Sequence, residues 1–240
     1  MNLLAFDTST DTLSLALCWT PGDGAVQQLE HQGAGGAQAS LVLIPLLQRM
    51  LARAGLRVGQ LDAIVFGRGP GSFTGLRTAC AVAQGLALGG AVPVLPVDTL
   101  LAVAEEARAR SGALRVMALL DARMDQVYAA AYSHGTAGWE RDGEFVLCAP
   151  EALPVPGGWT LAGNAFAAYG ERLPGDGPRI DALPTAAALL RLAPALIAAG
   201  ASVPAERALP LYIRDKVAQT TVERAVLAET KRALAAAPAP

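Results

Sequence analysis

Apolar residues recur along this chain at two different spacings, and each change of spacing marks a new element. Leu3-Leu4-Ala5-Phe6 is a continuous apolar run ending at Asp7, and after the polar turn Thr8 to Asp11 the apolar positions Leu13, Leu15 and Leu17 alternate. That pattern predicts two strands joined by an acidic turn. From Ser40 to Ala54 the period lengthens to that of a helix, with Ser40 as its cap. A strand from Asp62 to Gly67, a helix from Ser72 to about Leu88, a strand from Val92 to Val97 and a helix from Leu100 to Arg110 follow. Gly89-Gly90 is read as the end of the longer helix. Met117 to Asp121, a turn from Ala122 to Asp125, and the alternating Val127, Ala129 and Ala131 then repeat the opening pattern. A strand near Trp159 to Ala162, a helix from Ala165 to Arg172 and a long helix from Thr185 to Ala199 complete an α/β alternation.

The repeat has a chemical core, because Asp7 aligns with Asp121 and Asp11 with Asp125 at the same offset. Two related halves are expected, with chance matching of short apolar-Asp patterns as the other reading. Two α/β lobes that each open with an acidic hairpin resemble the plan of the actin, sugar-kinase and Hsp70 (ASKHA) superfamily. That fold class implies mixed sheets flanked by helices. The expected division is a lobe over residues 1–107, a second over 108–213, and a segment over 214–240 that packs back on the first lobe. The Ala/Pro tail from Ala233 is expected to be disordered. In working ATPases of this plan the hairpins grip nucleotide phosphates. Here the second hairpin lacks the glycine that would let its backbone close on a phosphate, and the adenosine-binding turn is reduced to Gly163-Asn164. Asp7 and Asp121 are thus read as a degenerate nucleotide site, either holding Mg²⁺ or accepting hydrogen bonds within their turns.

Between the strand ending at Gly67 and the helix beginning at Ser72 lies a run unusually rich in glycine. It comprises Gly67, Arg68, Gly69, Pro70, Gly71 and Ser72, and continues through Phe73-Thr74 to Gly75, Leu76 and Arg77. Its glycines allow positive φ and close backbone approach, Pro70 fixes a turn, and Ser72 is placed to cap the helix. Such a loop is either an anion cradle at a helix N-terminus or a rigid corner between strand and helix. The lysine of a Walker loop is missing.

Composition removes several classes. The chain of 240 residues is 52% hydrophobic and 17% charged, so it folds around a substantial core, and its net charge of -2 gives no general attraction for nucleic acid or anionic membranes. Cys18, Cys80 and Cys148 are odd in number and set in apolar segments, as expected of buried thiols. His31 and His134 have no partner at ligand spacing, so no metal site is expected. Ala79 to Ala104 is nearly uncharged, yet Gly89-Gly90, Pro93 and Pro96 break it too often for a membrane span. Asp7 comes too early for a signal peptide, and a cytoplasmic location is expected.

Taken together, LLAFDTST at Leu3 to Thr10, GRGPGSFTGLR at Gly67 to Arg77, QGLALG at Gln84 to Gly89, LLDARMDQVYAAAY at Leu119 to Tyr132 and PLYIRDKVA at Pro210 to Ala218 resemble the TsaB (YeaZ) family. One departure is Ala39-Ser40, where the family usually carries His-Ser. The resemblance implies a noncatalytic subunit that activates TsaD in making threonylcarbamoyladenosine next to the tRNA anticodon. It implies no cofactor of its own, with ATP and Mg²⁺ bound at most weakly or in the complex. The implied partners are a TsaD-like catalytic subunit, a TsaE-like ATPase in the larger complex, a second copy of the chain, and tRNA reached indirectly. An autonomous small ATPase or kinase using Asp7, Asp121 and the glycine loop is the alternative. Proteolysis by Ser72 or Thr74 lacks an evident base.

A noncatalytic subunit needs a docking surface, and two helices carry more apolar residues than one sheet can cover. In the first, Leu43, Leu47, Met50 and Ala54 form one stripe and Val42, Leu46 and Arg49 another. In the second, Leu76, Cys80, Ala83 and Leu86 lie beside Ala79, Val82 and Gly85. These two helices are expected to pair with the matching helices of TsaD in a mainly apolar four-helix contact, the alternative being that loops or the C-terminal segment cover these faces. Arg77 and Arg123 are candidates for phosphate or partner contact, with surface ion pairing as the plain alternative, and Arg214 and Lys216, following Tyr212, for tRNA or partner contact, with a solvated basic turn as the alternative. Tyr128 and Tyr132 are read as packing residues.

Overall fold

The computed structural model describes residues 1–22 and 24–214. The expectations for the C-terminal segment beyond Arg214, including Lys216 and the Ala/Pro tail, lie outside the described residues. The described residues form ten strands in two sheets. The first contains β1 (Leu3–Asp7), β2 (Thr12–Trp19), β3 (Gln27–Ala34), β4 (Ala63–Gly69) and β5 (Val94–Asp98), in the order β3-β2-β1-β4-β5. The second contains β6 (Arg115–Arg123), β7 (Gln126–Gly135), β8 (Gly138–Cys148), β9 (Thr160–Gly163) and β10 (Arg179–Asp181), in the order β8-β7-β6-β9-β10. The two orders are the same. β1 runs antiparallel to β2 and parallel to β4, and β6 runs antiparallel to β7 and parallel to β9. Two related halves therefore stand behind the repeated apolar-Asp pattern, and the α/β plan with duplicated mixed sheets is the one expected.

Five helices complete the fold: α1 (Ala39–Ala54), α2 (Phe73–Gly90), α3 (Thr99–Ser111), α4 (Phe166–Tyr169) and α5 (Ala186–Ala198). β1 is buried on both faces, which explains its unbroken apolar run. Its outer face, with Leu4 and Phe6, joins Leu15 and Phe66 under α1 and α2. Its inner face is built from small residues, Ala5, Ala16 and Ala63, and receives Leu189 and Ala193 of α5. α3, which follows the first sheet, packs Leu100, Val103 and Ala107 onto Ala118 and Tyr132 of the second. Each half thus sends its last helix to the layer between the sheets. Glu105 of α3 binds that layer together, accepting from Arg108, from Arg191 of α5 and from the indole of Trp139 on β8.

Three local expectations need correction. α1 begins at Ala39 with Gln38 at the cap position, so Ser40 lies inside the first turn. Gly89-Gly90 ends α2 as read, but the left-handed cap falls to Ala91, at φ 53°, and not to a glycine. β3 and β8 were not anticipated. Both are edge strands: β3 is largely polar, and β8 is exposed and charged in its first half and half-buried from Phe145 on, so each takes its form from the neighbour it pairs with.

Candidate functional site

Because β1 and β4 are parallel neighbours, the β1–β2 turn and the glycine-rich loop emerge at the same edge of the first sheet. The β6–β7 turn of the second sheet faces them. Between them lies a cleft of about 350 Å³, lined by Thr10 and Asp11 of the first turn, Gly71 and Ser72 of the loop, and Arg123 and Met124 of the second turn. The segment Leu211 to Arg214 forms one wall.

The glycines of the loop are required by close approach within the chain. A Cβ on Gly75 would lie 1.8 Å from the Thr8 carbonyl oxygen, one on Gly67 1.8 Å from Asp7 Oδ2, and one on Gly71 2.7 Å from the Ser9 backbone oxygen. Gly69 has φ 123°, and its missing side chain leaves room for the Leu211 carbonyl. Ser72 caps α2, its Oγ accepting from Gly75 N at 3.5 Å. The loop is a rigid corner fitted to the first hairpin. The surfaces its glycines meet belong to this chain.

Asp7 is fully buried and does not line the cleft. Its Oδ1 accepts from the N–H and Oγ of Ser9 at 2.8 and 2.7 Å, which shapes the turn. Oδ2 has no hydrogen-bond partner, and burial pushes the carboxyl up to about 6 despite the two Ser9 bonds. Asp121 is braced differently. Its Oδ1 accepts from Arg123 N and from Tyr169 Oη, both at 2.8 Å, and Oδ2 pairs with Arg123 Nη1 at 3.0 Å. The Arg123 guanidinium also pairs with Asp11 of the first turn, linking the hairpins across the cleft. Asn164 accepts from Asp121 N at 2.9 Å, and Gly163 is the last residue of β9, paired with Leu119. The pair read as a reduced adenosine turn therefore supports the second hairpin. Missing glycine does not stop that hairpin from turning tightly: Arg123, Met124 and Asp125 all adopt positive φ, between 55 and 60°.

Neither histidine lines the cleft. His31 lies on β3, and His134 on β7 stacks edge-on against Trp139. Among the described residues no cluster of His, Cys, Asp or Glu could hold a metal ion. No described helix is long and apolar enough to cross a membrane. Tyr128 and Tyr132 are buried packing residues, as expected.

A second surface lies on the outer layer. The sheet takes the Leu43, Leu47 and Met50 stripe of α1, leaving Val42 and Arg49 exposed and Leu46 half-buried. In α2 it takes Leu76, Ala79, Cys80 and Ala83, leaving Val82 and Leu86 half-buried. Met50, Leu76, Ala79, Cys80 and Ala83 are core residues and do not present a surface, which corrects their assignment as interface residues. The apolar groups that do reach solvent include Leu41, 77% exposed, Ile44, and Leu88, 79% exposed, none of them among the residues expected. On α2, Gly85, one turn before Leu88, and Gly89, next to it, open onto empty space.

The family model described as TsaD, tRNA N6-adenosine threonylcarbamoyltransferase, matches residues 31–158, from β3 past the second hairpin. The tRNA threonylcarbamoyladenosine biosynthesis protein TsaB of Escherichia coli K12 is 35% identical over 228 residues, covering 91% of this chain and 96% of that protein. The chain belongs to the TsaB family. The Haemophilus influenzae protein of the same name is 34% identical, covering 90% of this chain and 95% of its own. A solved structure of YeaZ from Pseudomonas aeruginosa is 40% identical with a TM-score of 0.80, covering 88% of this chain and 99% of that one. In this member one ion pair, Arg123–Asp11, bridges the cleft, and among the described residues the outer helices expose apolar groups.

Proposed function

We propose that this chain serves tRNA threonylcarbamoyladenosine biosynthesis as a noncatalytic subunit that binds and activates a TsaD-like threonylcarbamoyltransferase through the outer face of α1 and α2. The observation that carries the reading is the exposure of Leu41, Val42, Ile44 and Leu88 on two adjacent helices. An apolar face of this kind is stabilised by a partner that removes it from water. The open positions Gly85 and Gly89 allow a partner helix to approach closely. The matching face of a TsaD-like subunit is the proposed occupant, a second copy of the chain being the competing one.

The alternative, an autonomous ATPase or kinase, needs carboxylates free to position Mg²⁺ and water at the cleft. Asp7 is buried outside the lining, and Asp121 is engaged by Arg123 and Tyr169, which weighs against that reading. The deciding experiment is reconstituted threonylcarbamoyladenosine synthesis with TsaD, with and without this chain, alongside ATP turnover by the chain alone. Stimulation by the chain without intrinsic turnover is the expected result. Turnover by the isolated chain, with no effect on TsaD, would replace this proposal with the alternative.

A further inference from the structure

Residues Ala208 to Arg214 cross the molecule from the outer layer of the first half to the second hairpin. At one end the Ala208 carbonyl accepts from Cys80 Sγ at 3.1 Å and Gln84 Nε2 at 2.9 Å, both on α2. Leu211 N then donates to the Arg68 carbonyl at 2.7 Å, seating the segment beside β4. Tyr212 lies 5.2 Å from Phe73 between ring centroids, and its Oη accepts from Arg77 Nε at 3.1 Å. The Arg77 guanidinium in turn sits 3.9 Å over the Phe73 ring. Ile213 packs against the core of the second half. Arg214 ends the crossing on the second hairpin, where Nη2 donates to the Ala122 carbonyl at 3.0 Å and to Gln126 Oε1 at 2.7 Å.

We propose that this segment is a latch that couples the first turns of α2 to the second hairpin across the cleft, so that loosening either end is felt at the other. Two features make it a latch and not simply a fixed connection. Its α2 end is an exposed aromatic and cation stack, with Tyr212 43% exposed. Its hairpin end rests on neutral acceptors, since Arg214 pairs with no carboxylate among the described residues. Such bonds, with only the donor charged, are weaker than a bidentate arginine–carboxylate pair. The hairpin they hold has three consecutive non-glycine residues at positive φ, a conformation that depends on surrounding contacts to persist. Arg214 forms no hydrogen bond to α2, so its effect on α2 travels either through Tyr212 or through the Arg123–Asp11 pair and the first hairpin; only the Tyr212 route is cut by Tyr212→Phe, which leaves the Arg123–Asp11 pair in place. The inference concerns the isolated chain and does not depend on the partner reading above.

Backbone hydrogen exchange on the full chain tests it, comparing wild type with Arg214→Gln, Arg214→Lys and Tyr212→Phe. Arg214→Gln is expected to speed exchange about threefold or more in the second hairpin and also in the first turns of α2, with β1 and α5 unchanged. Tyr212→Phe removes only the hydroxyl and is expected to speed exchange in the hairpin as well as at α2. Arg214→Lys, which keeps a donor and the charge, should recover part of the protection. If Arg214→Gln acts only on the hairpin and Tyr212→Phe only on α2, the coupling is wrong. Should Arg214→Gln loosen β1 and α5 too, Tyr212→Phe alone decides, because it leaves every Arg214 bond intact.

Discussion

Thr8 and Gly75 hold the first hairpin against the first turn of α2. Thr8 Oγ1 donates to the Gly75 carbonyl at 2.7 Å, and the Thr8 carbonyl occupies the space where a Gly75 side chain would stand. Gly75→Ala is therefore expected to destabilise the fold by about 3 kcal/mol, because backbone must move to admit the methyl. Gly85, ten residues on in the same helix, meets nothing within 4 Å. Gly85→Ala should stabilise by roughly 0.5 to 1 kcal/mol through helix propensity alone. Urea denaturation of the two variants checks both signs.

The outer face separates docking from folding. Leu41→Glu combined with Leu88→Glu should leave the melting temperature within a few degrees of wild type, because both side chains are already in water. The same pair should weaken binding to TsaD by on the order of 100-fold in calorimetric titration. Met50→Ala should do the reverse, lowering stability by about 2 to 3 kcal/mol through a cavity while the folded fraction still binds. Unchanged TsaD affinity in the double variant would rule out this face as the docking surface.

Asp7 predicts an unusual pH dependence. Its carboxyl is raised in the folded state from 3.8 to about 6, so between those values the folded chain binds more protons than the unfolded one. Stability contributed by this group is present below the unfolded value and falls as pH rises through the folded value, by on the order of 3 kcal/mol. Asp7→Asn keeps an acceptor for Ser9 without the charge. Denaturation curves from pH 4 to 8 should show the variant gaining on wild type as pH rises. A constant difference between them would mean that Asp7 keeps an ordinary affinity for its proton.

Glu105 acts in the opposite sense. Burial alone would raise its carboxyl, but hydrogen bonds from Arg108, Trp139 and Arg191 outweigh it and hold the group below the usual carboxylate range. Its contribution is present above the unfolded value and is lost as pH falls through the folded one. Glu105→Ala removes the acceptor of Arg108 and of the Trp139 indole, while Arg191 keeps Glu106, and a loss of about 1 to 3 kcal/mol is expected in thermal or urea unfolding.

The second hairpin invites a stabilising change. Met124 is 51% exposed and has φ 55°, a conformation that costs a non-glycine residue about 1 kcal/mol. Met124→Gly should recover roughly that amount, measured as a raised urea midpoint. A drop in stability would show that the Met124 contact with Arg214 outweighs the backbone strain.

The paired hairpins could be read directly from the chain, because each is a local pattern of apolar run, aspartate and alternation that needs no distant partner. The excess of apolar residues on α1 and α2 was equally visible. What could not be seen was which stripe the sheet would take. Leu43 and Val42 are both aliphatic neighbours on one helix, and only the rotation of α1 against Leu15 and Phe66 sends the first inward and the second outward. β3 escaped notice because its residues carry little apolar signal of their own.

By itself the sequence determined the α/β alternation, the duplicated hairpins, the glycine corner and the family, since each resides in short runs whose spacing is set by backbone geometry. Tertiary structure alone decided what the glycines touch, which helix face stays in water, how α3 and α5 change sides between the sheets, and that Ala208 to Arg214 spans the cleft. Those outcomes depend on contacts between segments far apart in the chain. Their competition for one buried surface is settled by the packing of the whole molecule, and no local spacing encodes the winner.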